Sequence, residues 1–367
     1  MALRLHTETG DVAEIDNEPL VTPGFHSLAE FANFGDYEAL SIIETSQGLS
    51  HFAEGLPGSV SSYLLSRSEF APFMDGVAGD PVDEALMKEW LAMTSNGPFD
   101  EAMAARLREM SHLPGGKSTF PGVRAALPPQ MIVGLTSWVQ GEILAVLGQT
   151  CDIYDLSAAG GAWMNQLILQ LNIMLEPYLV EPAGPASKHG SASYHELAGF
   201  AGFGPKEQQI LAKTGPLLEA AAGGVISLAY TYLLSRPESA GYFQEEPHLA
   251  QRKKTLKAWW IRTATQPKDG QFHDYMSKVA DAHVPGGGAF PHVVIPADLT
   301  LALMGWVEMR VMTALNTIAP GETDDYVFGL LGEPKATAEI GSAWMRMLTL
   351  QLGILLTPYL SDAAFSN

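Results

Sequence analysis

The chain has 367 residues, of which 47% are hydrophobic, enough to fill more than one globular core. Its 21 Lys and Arg stand against 41 Asp and Glu, a formal charge of −20. Such a surface repels phosphate backbones and anionic lipids, which argues against nucleic-acid or membrane binding as the main task. The single cysteine, Cys151, rules out an internal disulfide and suits a reducing, cytoplasmic setting.

The first residues, "MALRLHTETGDVAEIDNEPL", lack the positive segment and apolar run of a secretion signal, and no uninterrupted apolar run of about 18 residues predicts a membrane span. Acidity concentrates in residues 1–183, with 7 Lys and Arg against 24 Asp and Glu. Residues 184–367 carry 14 against 17. Solubility is the simplest reading of that excess.

In chain order, "SSYLLSRSEFAPF" (61–73), "KEWLAMTS" (88–95) and "DEAMAARLRE" (100–109) show helical spacing. The last runs into "SHLPGGKST" (111–119), where glycine, lysine and hydroxyls suggest a phosphate cradle. A P-loop needs a glycine at the position of Ser111 and a strand before it, so Pro-Gly-Gly reads instead as a helix stop. "LTSWVQGEILAVLG" (135–148) and "GAWMNQLILQLNIMLEPYL" (161–179) predict two long apolar helices. A Pro-, Gly- and Ser-rich stretch, "EPAGPASKHGSAS" (181–193), follows.

Beyond it the pattern returns. "TYLLSRPESAGYF" (231–243), "KAWWIRTA" (257–264), "AHVPGGGAFPH" (282–292), "LMGWVEMRVMTALN" (303–316) and "GSAWMRMLTLQLGILLTPYL" (341–360) repeat the earlier stretches in order. The offset is 169 residues at Tyr63/Tyr232 and Trp90/Trp259, 168 at Trp138/Trp306 and 181 at Trp163/Trp344. One recurrence of so long a unit predicts a duplicated all-α domain, not a solenoid, with halves 1–183 and 184–367 of six to eight helices each. "PHVVIP" (291–296) is the one short strand candidate, and "QRKKTLK" (251–257) reads as a solvated helix face. Alanine and glycine in "EAAAGGVISLAY" predict close helix crossings or room for something flat.

Lys117, Ser118 and Thr119 are lost from the second copy, but both copies keep a histidine at a helix end, His112 and His283. Such a histidine can simply complement the helix C-terminus. Its recurrence in diverged sequence instead favours a ligand role, and one neutral imidazole in an apolar helical pocket suits haem iron. A structural zinc would want about four Cys or His ligands at short spacing. Motifs of hydrolases, metalloproteases and dinucleotide-binding folds are missing.

Each half resembles a protoglobin, the globin domain of globin-coupled sensors. "ILAKTGPLLEAAAGGVISLAYTYLLSRPESAGYF" resembles helices A and B, and "KEWLAMTSNGPFDEAM" and "KAWWIRTA" resemble helix E. The His112 and His283 helix ends resemble helix F, and the two long apolar helices of each copy resemble G and H. The resemblance implies haem b, one or two per chain, with His112 and His283 as proximal iron ligands. It places the family's distal tyrosine on Tyr230 and its distal tryptophan on Ala229. The corresponding first-copy positions are Ser61 and Val60. The distal phenylalanine falls on Met87 and Leu256. Trp90 and Trp259 read as packing anchors at the pocket wall.

The resemblance implies binding of a diatomic gas, O2, NO or CO, for sensing, storage or scavenging. A haem enzyme acting on a small substrate and a haem-free regulatory module are the alternatives. An internal pseudo-dimer through helices G and H is expected. Only "SDAAFSN" follows the second helix H, so any signal is expected to leave through a separate partner.

Overall fold

The computed structural model describes residues 29–180, 182, 192–243, 248–285, 295–317 and 333–360. The stripes of apolar residues at three- and four-residue spacing become helices because only helix geometry brings them to one face. After a helical turn at 29–31 come α1 Asp36–Ser46, α2 Ser50–Ser66, α3 Ala71–Met74, α4 Glu84–Asn96 and α5 Glu101–Ser111. A hairpin of two-residue strands, β1 His112–Leu113 and β2 Lys117–Ser118, leads to α6 Pro129–Thr150 and α7 Ile153–Leu175. Next are α8 Tyr194–Ala201, α9 Pro205–Ser235, α10 Pro237–Phe243, α11 His248–Thr265, α12 Gly270–Asp281, α13 Ala297–Thr317 and α14 Pro334–Leu355. The chain is therefore all-α apart from that hairpin among the described residues. The "PHVVIP" stretch and the 181–193 seam lie largely outside them.

Side-chain caps set the helix starts. Asp83, Asp100, Asp152 and Asp269 each accept from backbone N–H groups of the turn that follows, satisfying donors with no intrahelical partner. α9 contains Pro216 yet runs unbroken through 31 residues. The matching region of the first half is split by a 3-10 turn at Gln47–Leu49.

Contacts recur at the offsets seen in the sequence. The Trp90 indole N–H donates to Gln170 Oε1 at 2.7 Å and Trp259 to Gln351 Oε1 at 2.8 Å. Trp163 donates to Thr45 and Trp344 to Thr214. Tyr63 stacks on Trp138, and Tyr232 on Trp306. Before α1 and α9 the chain turns through positive φ at Asn33 and Gly202. Both turns are closed by the same backbone bond, Phe34 N–H to Ala29 O and Phe203 N–H to Ala198 O, each 2.8 Å. Replacing Trp90 by phenylalanine removes a buried donor and should cost about 1–2 kcal/mol in denaturant unfolding. An unchanged midpoint would show that the bond adds nothing.

The middle of the molecule is four long helices: α6 lies along α14, and α7 along α13. Glycine permits the close approach. A Cβ on Gly148 would stand 2.4 Å from the Ala338 Cβ, and one on Gly305 would stand 2.6 Å from Asn165 Oδ1. α6 and α9 are long and apolar enough to cross a membrane, but 83% of the apolar stretch of α6 is buried inside the protein. That helix is accounted for by core packing.

Candidate functional site

His283 follows α12 by two residues, after the helix has turned into 3-10-like bonding, with its own N–H donating to Ala280 O. Its carbonyl accepts from Ile295 N–H at 3.3 Å and faces the Tyr359 hydroxyl, which also donates to Ile295 O at 2.6 Å. Tyr359 lies in the 3-10 turn after α14, so the end of α14 pins the segment that carries the histidine. Within that frame the half-buried imidazole lies by the Val279 carbonyl, one helical turn back, which favours its protonated form. Burial outweighs that pull and pushes its pKa down to about 4, so the ring is neutral at pH 7. A neutral imidazole on a pinned segment has the chemistry of a nitrogen ligand.

His112 is placed differently. α5 ends at Ser111, and His112 is extended, pairing with Ser118 in the hairpin. Its Nε2 lies 2.8 Å from the Ile173 carbonyl and 3.8 Å from Glu176, which holds Arg108 in a two-pronged ion pair. The outer ring nitrogen that an iron would need is therefore already bonded to the backbone of α7. Pro114-Gly115-Gly116 forms the hairpin turn, with both glycines at positive φ. Ser118 donates to Met174 O and Thr119 to Ala125 O, so these hydroxyls serve the core.

The remaining candidates divide the same way. In the first half Met87 is fully buried, and a Cβ on Gly122 would stand 2.8 Å from its Cβ, so the loop before α6 is pressed onto it. Trp90 meets Phe120 edge-on at 4.9 Å, and Val60 is fully buried. In the second half Tyr230 is buried on α9, and burial pushes its phenol up to about 12, which keeps it protonated as a donor. The Lys253 ammonium of α11 lies 5.5 Å from the centre of the Tyr230 ring. Leu256 is half-buried on the same helix, and Trp259 is buried with its N–H spent on Gln351. α9 packs on α11 and on α14, Trp259 and Thr263 of α11 bond Gln351 of α14, and α12 packs on α14, so α14 is the wall shared by the elements carrying Tyr230 and His283. Residues 286–294, between His283 and α13, lie outside the described residues.

Sequence reasoning missed the supporting residues Val279, Gln170, Gln351, Tyr359 and Tyr178, whose hydroxyl accepts from Ser118 N–H and donates to Leu127 O. The glutamines and tyrosines recur in both copies, in "LQLNIMLEPYL" and "LQLGILLTPYL", and recurrence of a polar residue inside an apolar helix was the available signal. Among the described residues no three His, Cys, Asp or Glu side chains assemble as a metal-binding group. A surface groove of about 410 Å³ lies near Glu30, Glu38 and Arg236 and is bordered by neither histidine.

Residues 191–364 match the family model described as Protoglobin. The solved globin domain of a Geobacter sulfurreducens globin-coupled sensor is similar at 19% identity, with a TM-score of 0.37, over 46% of this chain and 98% of that one. No curated protein matches the chain.

Proposed function

We propose that the C-terminal part of this chain is a protoglobin-type domain that binds one haem b through His283 and takes up a diatomic gas, in a cytoplasmic sensing, storage or scavenging role. The observation that carries this reading is the pinning of the segment that bears His283. A neutral imidazole on a segment that Tyr359 ties to the end of α14 has the chemistry of a fixed nitrogen ligand. Haem held there would supply an iron able to take up a small ligand. Tyr230 supplies a protonated hydroxyl on α9, while Leu256 and Trp259 contribute apolar wall.

We infer that the N-terminal half is a haem-free globin-like partner. His112 has spent its Nε2 on Ile173 O, and Met87, Trp90, Val60 and Phe120 fill its interior. The recurring tryptophan, tyrosine and turn contacts support a tandem origin of the two halves, and α6, α7, α13 and α14 support an internal pseudo-dimer.

Tyr230→Phe tests the distal assignment. Losing a hydrogen bond to a polarised ligand of about 1.5–3 kcal/mol should speed dioxygen dissociation at least about tenfold, while carbon monoxide dissociation changes less. Equal rates for the variant and the unaltered chain would remove Tyr230 from the site.

A further inference from the structure

The central four-helix contact is built from equivalent positions that carry opposite chemistry. "SWVQGEILAVL" (137–147) of α6 and "GWVEMRVMTAL" (305–315) of α13 share the Trp-Val pair and then differ completely at three consecutive residues. The first has Gln140-Gly141-Glu142 and the second Glu308-Met309-Arg310. We propose that these two tripeptides make the contact selective, so that the α13–α14 face accepts the α6–α7 face of its own chain and rejects a second copy of itself. This rests on the tandem reading above.

Each position contributes. Gln140 and Glu308 are equivalent and meet each other: the amide donates to Glu308 Oε2 at 2.8 Å, and Thr349 bridges Gln140 Oε1 and Glu308 Oε1 at 2.9 and 3.0 Å. Two copies of the α13 face would instead set two fully buried carboxyls against each other with no amide donor between them, losing the Gln140 bond.

The next position is matched by size. A Cβ on Gly141 would fall 2.6 Å from Ser342 Oγ and 2.9 Å from Arg346 Nε. At the related place, Met309 lies over Gly161, its Cγ 3.0 Å from where a Cβ would be. The pairs Gly141/Ser342 and Met309/Gly161 are thus the same contact with bulk on opposite sides. Pairing α13–α14 with itself would drive Met309 onto Ser342, whereas pairing α6–α7 with itself would leave Gly141 over Gly161 and a void.

At the third position Arg346 Nη2 lies 3.6 Å from Glu142 Oε1, and Arg346 also donates to Gly202 O and adjoins Glu207. The residue equivalent to Glu142 is Arg310, so a second α13–α14 face would bring Arg310 up to Arg346 in a half-buried setting. Like charge there opposes association.

The test uses the full-length chain and thermal or denaturant unfolding. Gly141→Met should lower the midpoint by several degrees, and adding Ser342→Gly, which recreates the Met309/Gly161 arrangement, should restore most of the loss. Glu142→Arg should lower the midpoint more than Glu142→Gln, with added salt narrowing the gap. This second series decides the matter if Gly141→Met does not fold. Strictly additive effects of Gly141→Met and Ser342→Gly, or equal midpoints for Glu142→Arg and Glu142→Gln, would overturn the proposal. Haem absorbance of the same samples reports separately on the His283 reading, so one failure is not mistaken for the other.

Discussion

His283→Ala is expected to lose the haem absorbance band, while His112→Ala keeps it at full strength. The reason lies in what each imidazole is already doing. His283 is kept neutral by burial on a segment pinned by Tyr359, whereas the Nε2 of His112 is committed to Ile173 O beside Glu176. Removing His112 should cost only the worth of that bond, about 0.5–1.5 kcal/mol of stability, with no change in ligation. If His283 holds the iron as proposed, removing it deletes the nitrogen ligand, and apolar contact alone would retain haem weakly. Spectra and haem content of the two variants, expressed with ample haem, decide between them. An unaltered spectrum in His283→Ala, or a halved band in His112→Ala, would contradict the assignment.

A stability profile that falls as pH rises is the second large expected effect, and Glu308 is its source. Its side chain is fully buried between α6, α13 and α14, held by Gln140 and Thr349, and burial raises its pKa to about 8 in spite of those two bonds. The folded protein therefore keeps a proton that the unfolded chain releases above the ordinary carboxylate range. Folded protein binds more protons than unfolded through that window, so stability is greatest below about pH 4.3, declines as pH rises, and levels off above about pH 8. Glu308→Gln keeps the size and a hydrogen-bonding amide without the proton. It should match the unaltered chain at pH 4 and exceed it by several kcal/mol at pH 9, at about 1.4 kcal/mol for each pH unit between the two pKa values. Subtracting the two profiles cancels the other titrating groups, and parallel curves would show that Glu308 is not the source.

Much of this architecture is legible in the sequence, because long helices announce themselves by spacing and the tryptophans recur. The four central helices and the two helix-end histidines are visible as patterns, whereas Tyr230 is placed only by the family resemblance. What the pattern cannot carry is contact between distant segments. His112 and His283 look alike in "SHLPGG" and "AHVPGG", and they part because His112 is extended in a hairpin with Ser118 and its Nε2 meets the carbonyl of Ile173, 61 residues away. Strands two residues long have no alternation to read, so the 112–118 hairpin is hidden behind its Pro-Gly-Gly. Met87, expected at a pocket wall, lies under Gly122, whose backbone conformation at φ +83 brings the loop onto it. Glu308 stands out in an apolar helix, but its partner Gln140 is identified only once α6 and α13 face each other.

The number of haem groups per chain tests the central account most directly. Protein expressed with excess haem, freed of unbound pigment and assayed for haem and polypeptide together, should contain one haem for each 367-residue chain. Two per chain would place a working site in the N-terminal half despite the bond that His112 makes, and none would remove the haem reading altogether.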